Sequence, residues 1–239
     1  DGSNRVGMVE GDNVLDLTRP EGPDSVYAIY YNCGGATEGL ECAASRLAEV
    51  AARCLSLPDL LAGREGEGGP YPVKPVSGPL RDPHALRIWL AGVTHEDSAK
   101  LREIEAKQAT GDQVNVYDQK YRECASGGRP ELFSKVDPDG VVGSGQALTR
   151  PADTQRLVPE TELVSVYGLN DRGELERLGY TGGNDATDNG IEAANPLNLP
   201  QAKNWAGGCA SLGPLLVTPS EYDDGDVTRH GGAEEVQLA

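Results

Sequence analysis

The sequence predicts an α+β fold, mostly β, and three stretches carry this prediction. Residues 5–18, RVGMVEGDNVLDLT, alternate apolar and polar residues on both sides of a Gly-Asp-Asn turn, which is typical of two short strands. From Leu40 to Cys54 the apolar residues follow helical spacing, and Pro58 closes the pattern. From Pro130 onward, short apolar runs alternate with Gly, Pro and Asn-Asp turns, so we expect the second half to be largely β.

A Gly- and Pro-rich stretch over residues 62–83 lacks periodicity and is the best candidate for a linker. We therefore expect a small N-terminal α+β domain over residues 1–80 and a larger domain over residues 81–239. In the larger domain, LRIWLAGVT predicts a strand that leads through a capping-box pattern into a helix. The segment NDRGE at 170–174 predicts a hairpin turn between two further strands.

The composition is strongly acidic, with 38 Asp and Glu against 21 Lys and Arg and a formal net charge of -17. The acidic residues are spread along the whole chain, which argues against nucleic acid as a partner, because phosphates require a basic surface. The chain has six lysines, 31 glycines and a single Phe, a composition that resembles proteins from salt-loving organisms. Molar salt would screen the self-repulsion, since the Debye length falls to about 3 Å at 1 M.

The sequence favours neither a membrane nor export. There is no run of about 18 apolar residues, and the N-terminus lacks the charged and apolar regions of a signal peptide, so we expect a cytoplasmic protein. The five cysteines form no C-x-x-C pattern and are expected to be reduced, structural thiols. Zinc is not expected, and the three histidines are too scattered to predict a His-based metal site.

Two closely spaced glutamates are the first feature that predicts a functional site. Glu160 and Glu162 lie two residues apart in an extended segment, so both side chains should project from the same face of a strand. Two carboxylates so close repel each other, and one would be driven neutral unless a cation holds them. The structural alternative is an exposed edge strand with solvated acids.

A third carboxylate and a lysine follow later in the chain. Asp185 comes directly after Gly-Gly-Asn, which predicts a tight turn that either aims the carboxylate or is a simple Asx-turn. With Glu160 and Glu162 it would supply three oxygen ligands that suit Mg²⁺ or another hard divalent cation. Lys203 could then hold a substrate carboxylate, or move a proton if its pKa is lowered; the alternative is an ordinary surface lysine.

Six motifs occur in the same order as in the fumarylacetoacetate hydrolase family, which this chain resembles. They are RPELFSK, VVGSGQ, PETE, GYTGGNDATD, NPLNLPQAK and GGCASLGP. The resemblance implies a mixed β-sandwich roll whose metal, Mg²⁺, Mn²⁺ or Ca²⁺, chelates a 2-oxo acid. On that basis Glu160, Glu162 and Asp185 are the metal ligands, and Lys203 matches the active-site lysine of the family.

Within the family, the residues of these motifs are similar to those of the archaeal 2-keto-3-deoxy-D-arabinonate and D-xylonate dehydratases. This implies dehydration of a 2-keto-3-deoxy pentonate to 2-oxoglutarate semialdehyde, with Lys203 and Glu131 sharing the proton transfers. Lys135, Gln201 and His95 are expected to bind the substrate, and a homo-oligomer, dimer or tetramer, is expected by family analogy.

Some positions depart from the family pattern, and other activities use the same metal platform. Ser134, Ala194 and Asn198 replace an aromatic, an acidic and a Tyr residue of the motifs. The family continues past the Gly-Pro motif, so we expect the C-terminal part of the catalytic domain, 81–239, to be incomplete. The alternatives are a hydrolase of C–C bonds in 2,4-diketo acids with His95 as base, an oxo-acid decarboxylase or isomerase, and an oxo-acid binding protein without turnover.

Overall fold

The structure, a computed structural model, describes residues 3–74, 87–92, 96–111, 116–137, 140–154, 156–194 and 199–222. Its strands are β1 (Gly7–Glu10), β2 (Asn13–Asp16), β3 (Cys54–Ser56), β4 (Ile88–Gly92), β5 (Glu131–Val136), β6 (Val141–Val142), β7 (Leu157–Val158), β8 (Thr161–Leu169), β9 (Leu175–Asp185), β10 (Thr187–Asp188) and β11 (Ala210–Leu212). Its helices are α1 (Val26–Asn32), α2 (Thr37–Ala48), α3 (Leu57–Ala62), α4 (Glu96–Thr110), α5 (Val116–Ala125), α6 (Asn189–Ala194) and α7 (Leu199–Lys203).

The predicted mixture of α and β is confirmed, with more strands than helices in the part of the chain that the structure describes. The description as mostly β fits the number of elements but not the number of residues, because helices α2 and α4 are long. In the same described part, no helix combines the length and the apolar character needed to cross a bilayer.

The N-terminal hairpin forms as predicted. Strands β1 and β2 pair antiparallel, with Met8 opposite Leu15 and Val9 opposite Val14. The helix that follows, α1, begins at Ser25, whose hydroxyl accepts a hydrogen bond from the Ala28 amide at 3.2 Å. Such a cap satisfies one of the amide groups that a helix start leaves without a partner.

The predicted helix from Leu40 to Cys54 is too long, because α2 ends at Ala48. Cys54 lies instead in β3 and pairs with Leu15 of β2, so strand pairing overrides the local helical spacing. Val50 has the right spacing for the buried face but is 59% exposed. The apolar periodicity therefore ran past the true end of the helix.

The second half is built around a four-stranded sheet with the order β6-β11-β9-β8. Strands β8 and β9 form a long antiparallel hairpin whose turn lies at 170–174, as predicted, and the Asn170 amide donates to the Glu174 carbonyl at 2.9 Å. Gly173 in this turn has a φ of 74°, a conformation that glycine adopts without strain. Strands β4 and β5 form a separate antiparallel pair.

The predicted turn at Asp185 is wrong. Asp185 is the last residue of the long strand β9 and lies opposite Ala210 of β11. The preceding Gly183 meets a packing demand: a Cβ there would lie 2.5 Å from a methyl group of Val164 on the neighbouring strand. This glycine is therefore present for close strand packing and not for a change of chain direction.

A buried apolar cluster joins the N-terminal elements to the four-stranded sheet. Its members are Val6, Leu17, Ile29, Tyr30, Leu40, Val141, Val166, Leu178, Ala210 and Leu212. Full burial of one large apolar side chain stabilises a fold by about 1.5–3 kcal/mol. The cluster thus fixes strands β8, β9 and β11, which position the acidic residues. The division into domains 1–80 and 81–239 stays a prediction.

Candidate metal centre

Three carboxylates meet where β8 and β9 lie side by side. Glu160 precedes β8, Glu162 lies within it, and Asp185 ends β9; one oxygen from each lies within 4.8 Å of the others. The strand pairing causes this convergence, since Glu162 lies opposite Gly183 and the Asp185 amide donates to the Glu160 carbonyl at 2.9 Å. The two glutamates are half-buried and Asp185 is buried.

Lys203 acts as an internal cation for this cluster. Its Nζ donates to Glu160 Oε2 at 3.0 Å and to Asp185 Oδ2 at 2.5 Å, and its side chain is 7% exposed. Burial works to lower the pKa of Lys203, but the charges of Asp185 and Glu160 outweigh it, so the pKa is raised above its ordinary value. The ammonium form of Lys203 is therefore favoured, and in this form the side chain can donate a proton.

Lys135 holds the other oxygen of Asp185. Its Nζ lies 2.5 Å from Asp185 Oδ1, donates to the Ala186 carbonyl at 2.8 Å and also donates to the Lys203 carbonyl. Burial lowers the pKa of Lys135 below its usual value, although the charge of Asp185 opposes the shift. Each oxygen of the Asp185 carboxylate is thus paired with a different ammonium group, Oδ1 with Lys135 and Oδ2 with Lys203.

A bulge in β5 directs Lys135 toward the cluster. In the pairing with β4, Trp89 lies opposite Ser134 and Ile88 opposite Val136, so Lys135 is the extra residue between them. An extra residue in one strand bends it locally and re-aims a side chain. Here the re-aimed side chain is only 1% exposed and reaches Asp185 on another sheet.

Thr187 is a member of the site that the sequence did not identify. It is fully buried, its hydroxyl donates to the Asp185 carbonyl at 2.9 Å, and the hydroxyl oxygen accepts from Lys203 Nζ at 2.8 Å. Because its proton is used on the carbonyl, its oxygen is free to accept from the ammonium. Its place in NDATD, two residues after Asp185, was the only indication in the sequence.

The remaining predicted residues are not brought into this cluster. Glu131 is exposed at the start of β5, opposite Gly92, and Gln201 is exposed on α7. In the described part of the chain, neither forms a hydrogen bond or ion pair with the three carboxylates. His95 lies outside the described residues.

The donor set fits a hard divalent cation. It consists of carboxylate oxygens alone, which is the ligand type that such ions prefer, and the converging oxygens already hold a positive group, the Lys203 ammonium. Two ammonium groups already contact these carboxylates, which shows that the cluster attracts positive charge.

Two curated relatives match more than half of the chain. A probable 2-keto-3-deoxyxylonate dehydratase from Haloferax volcanii is 41% identical over 140 residues, which are 59% of this chain and 43% of the relative. A 2-dehydro-3-deoxy-D-arabinonate dehydratase from Saccharolobus solfataricus is 37% identical over 134 residues, 56% of this chain and 42% of the relative. The chain thus spans less than half the length of these relatives. No protein-family model matches it.

Two solved structures share the fold. One is a 2-keto-3-deoxy-D-arabinonate dehydratase complexed with magnesium and 2,5-dioxopentanoate, with a TM-score of 0.59 and 25% identity over 92% of this chain and 64% of that one. The other, a fumarylacetoacetate hydrolase from Exiguobacterium antarcticum, has a TM-score of 0.57 and 20% identity over 93% of this chain and 65% of that one. The resemblance to the fumarylacetoacetate hydrolase family is confirmed. The similarity to the hydrolase itself concerns the fold, whereas both curated relatives carry dehydratase names.

Proposed function

We propose that the protein is a metal-dependent dehydratase of a 2-keto-3-deoxy pentonate, xylonate or arabinonate, in oxidative pentose degradation. The observation that carries the proposal is the convergence of Glu160, Glu162 and Asp185 beside Lys203. The names of the two curated relatives support the choice of dehydration among the reactions open to such a site.

The proposed cofactor is Mg²⁺, with Mn²⁺ or Ca²⁺ as possible replacements, held by the three carboxylates. The magnesium in the related dehydratase structure supports this choice. When bound, such an ion polarises the 2-keto group of the substrate and so makes a C3 proton easier to remove.

The proposed reaction removes one water and rearranges the product. C3 loses a proton, the C3–C4 double bond forms, and the C4 hydroxyl takes up a proton and leaves as water. C5 then loses a proton while C3 regains one, which gives an enol with a C4–C5 double bond. The C5 hydroxyl loses its proton while C4 gains one, and this gives the aldehyde of 2,5-dioxopentanoate, also called 2-oxoglutarate semialdehyde. We assign these transfers to Lys203 and Glu131 together, because Lys203 is an ammonium beside the three carboxylates and Glu131 is an exposed carboxylate at the start of β5.

Replacing Glu131 by Gln tests its part in proton transfer. We expect kcat to fall by about 10²–10⁴-fold, the usual contribution of a positioned acid or base, while the affinity for Mg²⁺ stays at the wild-type value. The matched control is Glu123→Gln on the exposed face of α5. Wild-type turnover in Glu131→Gln would remove this residue from the mechanism.

The function itself is tested with the full-length protein in high salt with Mg²⁺. We expect 2-keto-3-deoxy-D-xylonate or 2-keto-3-deoxy-D-arabinonate to lose one water, seen by mass spectrometry, and EDTA to abolish the reaction. Cleavage of a 2,4-diketo acid to pyruvate and a second acid would instead establish the C–C hydrolase. Metal binding without turnover of any of these acids would indicate a binding protein.

Several finer features belong to the same proposal. The four-stranded sheet and the paired strands around it are proposed to form the mixed β-sandwich roll of the family, with a small N-terminal domain over 1–80 and the catalytic domain over 81–239. The substrate is proposed to be a small 2-oxo sugar acid. A homo-oligomer, dimer or tetramer, and a cytoplasmic location rest on the family resemblance alone.

A further inference from the structure

The ammonium group of Lys135 is buried and already has partners within the protein. An ammonium group has three N–H donors. Lys135 donates two of them to the carbonyls of Ala186 and Lys203, and its ammonium forms an ion pair with Asp185 Oδ1, 2.5 Å away, without a hydrogen bond to that oxygen; the side chain is 1% exposed. The expected substrate contact would have to break one of these buried interactions.

The position of Lys135 does not depend on Asp185 alone. Two of its three contacts are made with backbone carbonyls, and the ring of Trp205 lies 5.4 Å from the ammonium. A bulge in β5 directs the side chain to this place. A cation bound by Asp185 would therefore leave Lys135 anchored where it is.

The two oxygens of Asp185 face different partners. Oδ2 shares the Lys203 ammonium with Glu160 Oε2 and so belongs to the side where the carboxylates converge. Oδ1 points to Lys135. A cation among the three carboxylates would replace the Lys203 ammonium at Oδ2, because that oxygen is the one shared with Glu160.

We propose that Lys135 selects the metal, by keeping Asp185 Oδ1 paired and so allowing Asp185 to offer a cation only one oxygen. Mg²⁺ takes six ligands in a strict octahedron, and a carboxylate that binds through a single oxygen fits this geometry. Ca²⁺ takes six to eight ligands and commonly uses both oxygens of a carboxylate. Lys135 thus disfavours Ca²⁺ at this site. The inference rests on the metal site of the proposed function but not on the dehydration reaction.

The test measures the ratio of the Ca²⁺ and Mg²⁺ dissociation constants by calorimetry. Wild type and Lys135→Met are compared at the same KCl concentration. We expect the variant to shift this ratio toward Ca²⁺ by about tenfold, the lower end of what partners of metal ligands contribute. Loss of the lysine charge strengthens the binding of both divalent ions alike, so the ratio isolates the effect of the freed oxygen. Lys120→Met on α5 is the control for removing one partly exposed lysine outside the cluster.

A second variant and a second measurement keep the test independent of folding. Lys135→Gln retains a donor for the buried carbonyls but is shorter and uncharged, and we expect the same direction of shift. In a crystal structure of wild type with Ca²⁺, Oδ1 should remain on Lys135; an Oδ1 bound to Ca²⁺ would overturn the inference, as would an unchanged ratio in a folded variant. A wild-type protein that binds neither ion would overturn the metal site itself, and this inference with it.

Discussion

Replacing Glu162 by Gln is expected to lower the affinity for Mg²⁺ by at least about 100-fold, more than the loss of a residue that only supports a metal ligand. Turnover of the 2-keto-3-deoxy pentonate should fall by at least about 10³-fold at an Mg²⁺ concentration that saturates wild type. The physical reason is that Gln offers one neutral oxygen where Glu162 offers a charged carboxylate, so the converging set loses a third of its negative charge. Calorimetric titration with Mg²⁺ and a product assay measure the two effects.

The fold should survive this change, because Glu162 is only half-buried and lies in a long hairpin with nine paired positions. We expect the free energy of unfolding in EDTA to change by no more than about 1 kcal/mol. Glu174→Gln, in the exposed turn of the same hairpin, is the matched control. A Glu162→Gln protein with wild-type affinity and turnover would contradict the assignment of the metal ligands.

The parts of the fold that the sequence predicted correctly depend on local chemistry. The turn at 170–174 needs only a few residues with the right backbone preferences, and the closeness of the Glu160 and Glu162 carboxylates needs only their spacing of two residues, although Glu160 lies just before β8 and not within it. The resemblance to a family added Asp185 and Lys203, which lie 23 and 41 residues beyond Glu162. In the structure an oxygen of Asp185 lies within 4.8 Å of oxygens of both glutamates, and the Lys203 ammonium contacts Glu160.

The parts that the sequence could not predict depend on contacts between distant segments. The end of α2 at Ala48 follows from the pairing of Cys54 with Leu15, and nothing in the local spacing reveals that pairing. Gly183 has the composition of a turn, but it is present because Val164 packs against it from the neighbouring strand. A single sequence does not show which side chain will occupy that space.

The same limit applies to the lysines of the site. Lys135 lies 50 residues before Asp185, and its contact with that carboxylate depends on a bulge that the apolar pattern of β5 does not reveal. The sequence predicted a cation at Lys203 beside the acids, and in the structure its ammonium contacts Glu160 and Asp185, but the sequence did not predict that two lysines would hold the same carboxylate. Two of the six lysines of the chain contact this one aspartate.

Lys203→Met is expected to separate metal binding from turnover. In EDTA the variant leaves the buried Asp185 and the largely buried Glu160 without the ammonium that they share, so the free energy of unfolding should fall by about 3–5 kcal/mol. Saturating Mg²⁺ should recover most of this loss, because a bound ion stabilises the folded state in proportion to the logarithm of its concentration over Kd. Urea unfolding in EDTA and in Mg²⁺, at the same KCl concentration, measures this difference in the free energy of unfolding.

The opposite signs of two effects make this prediction specific. With the competing ammonium removed, Mg²⁺ should bind Lys203→Met more tightly than wild type, whereas turnover should fall by at least about 10²-fold because a proton-transfer group is lost. A variant that is merely misfolded would lose both properties together. Lys107→Met, an exposed position on α4, is expected to change neither. Weaker Mg²⁺ binding by a folded Lys203→Met protein would show that the lysine supports the ion and does not compete with it.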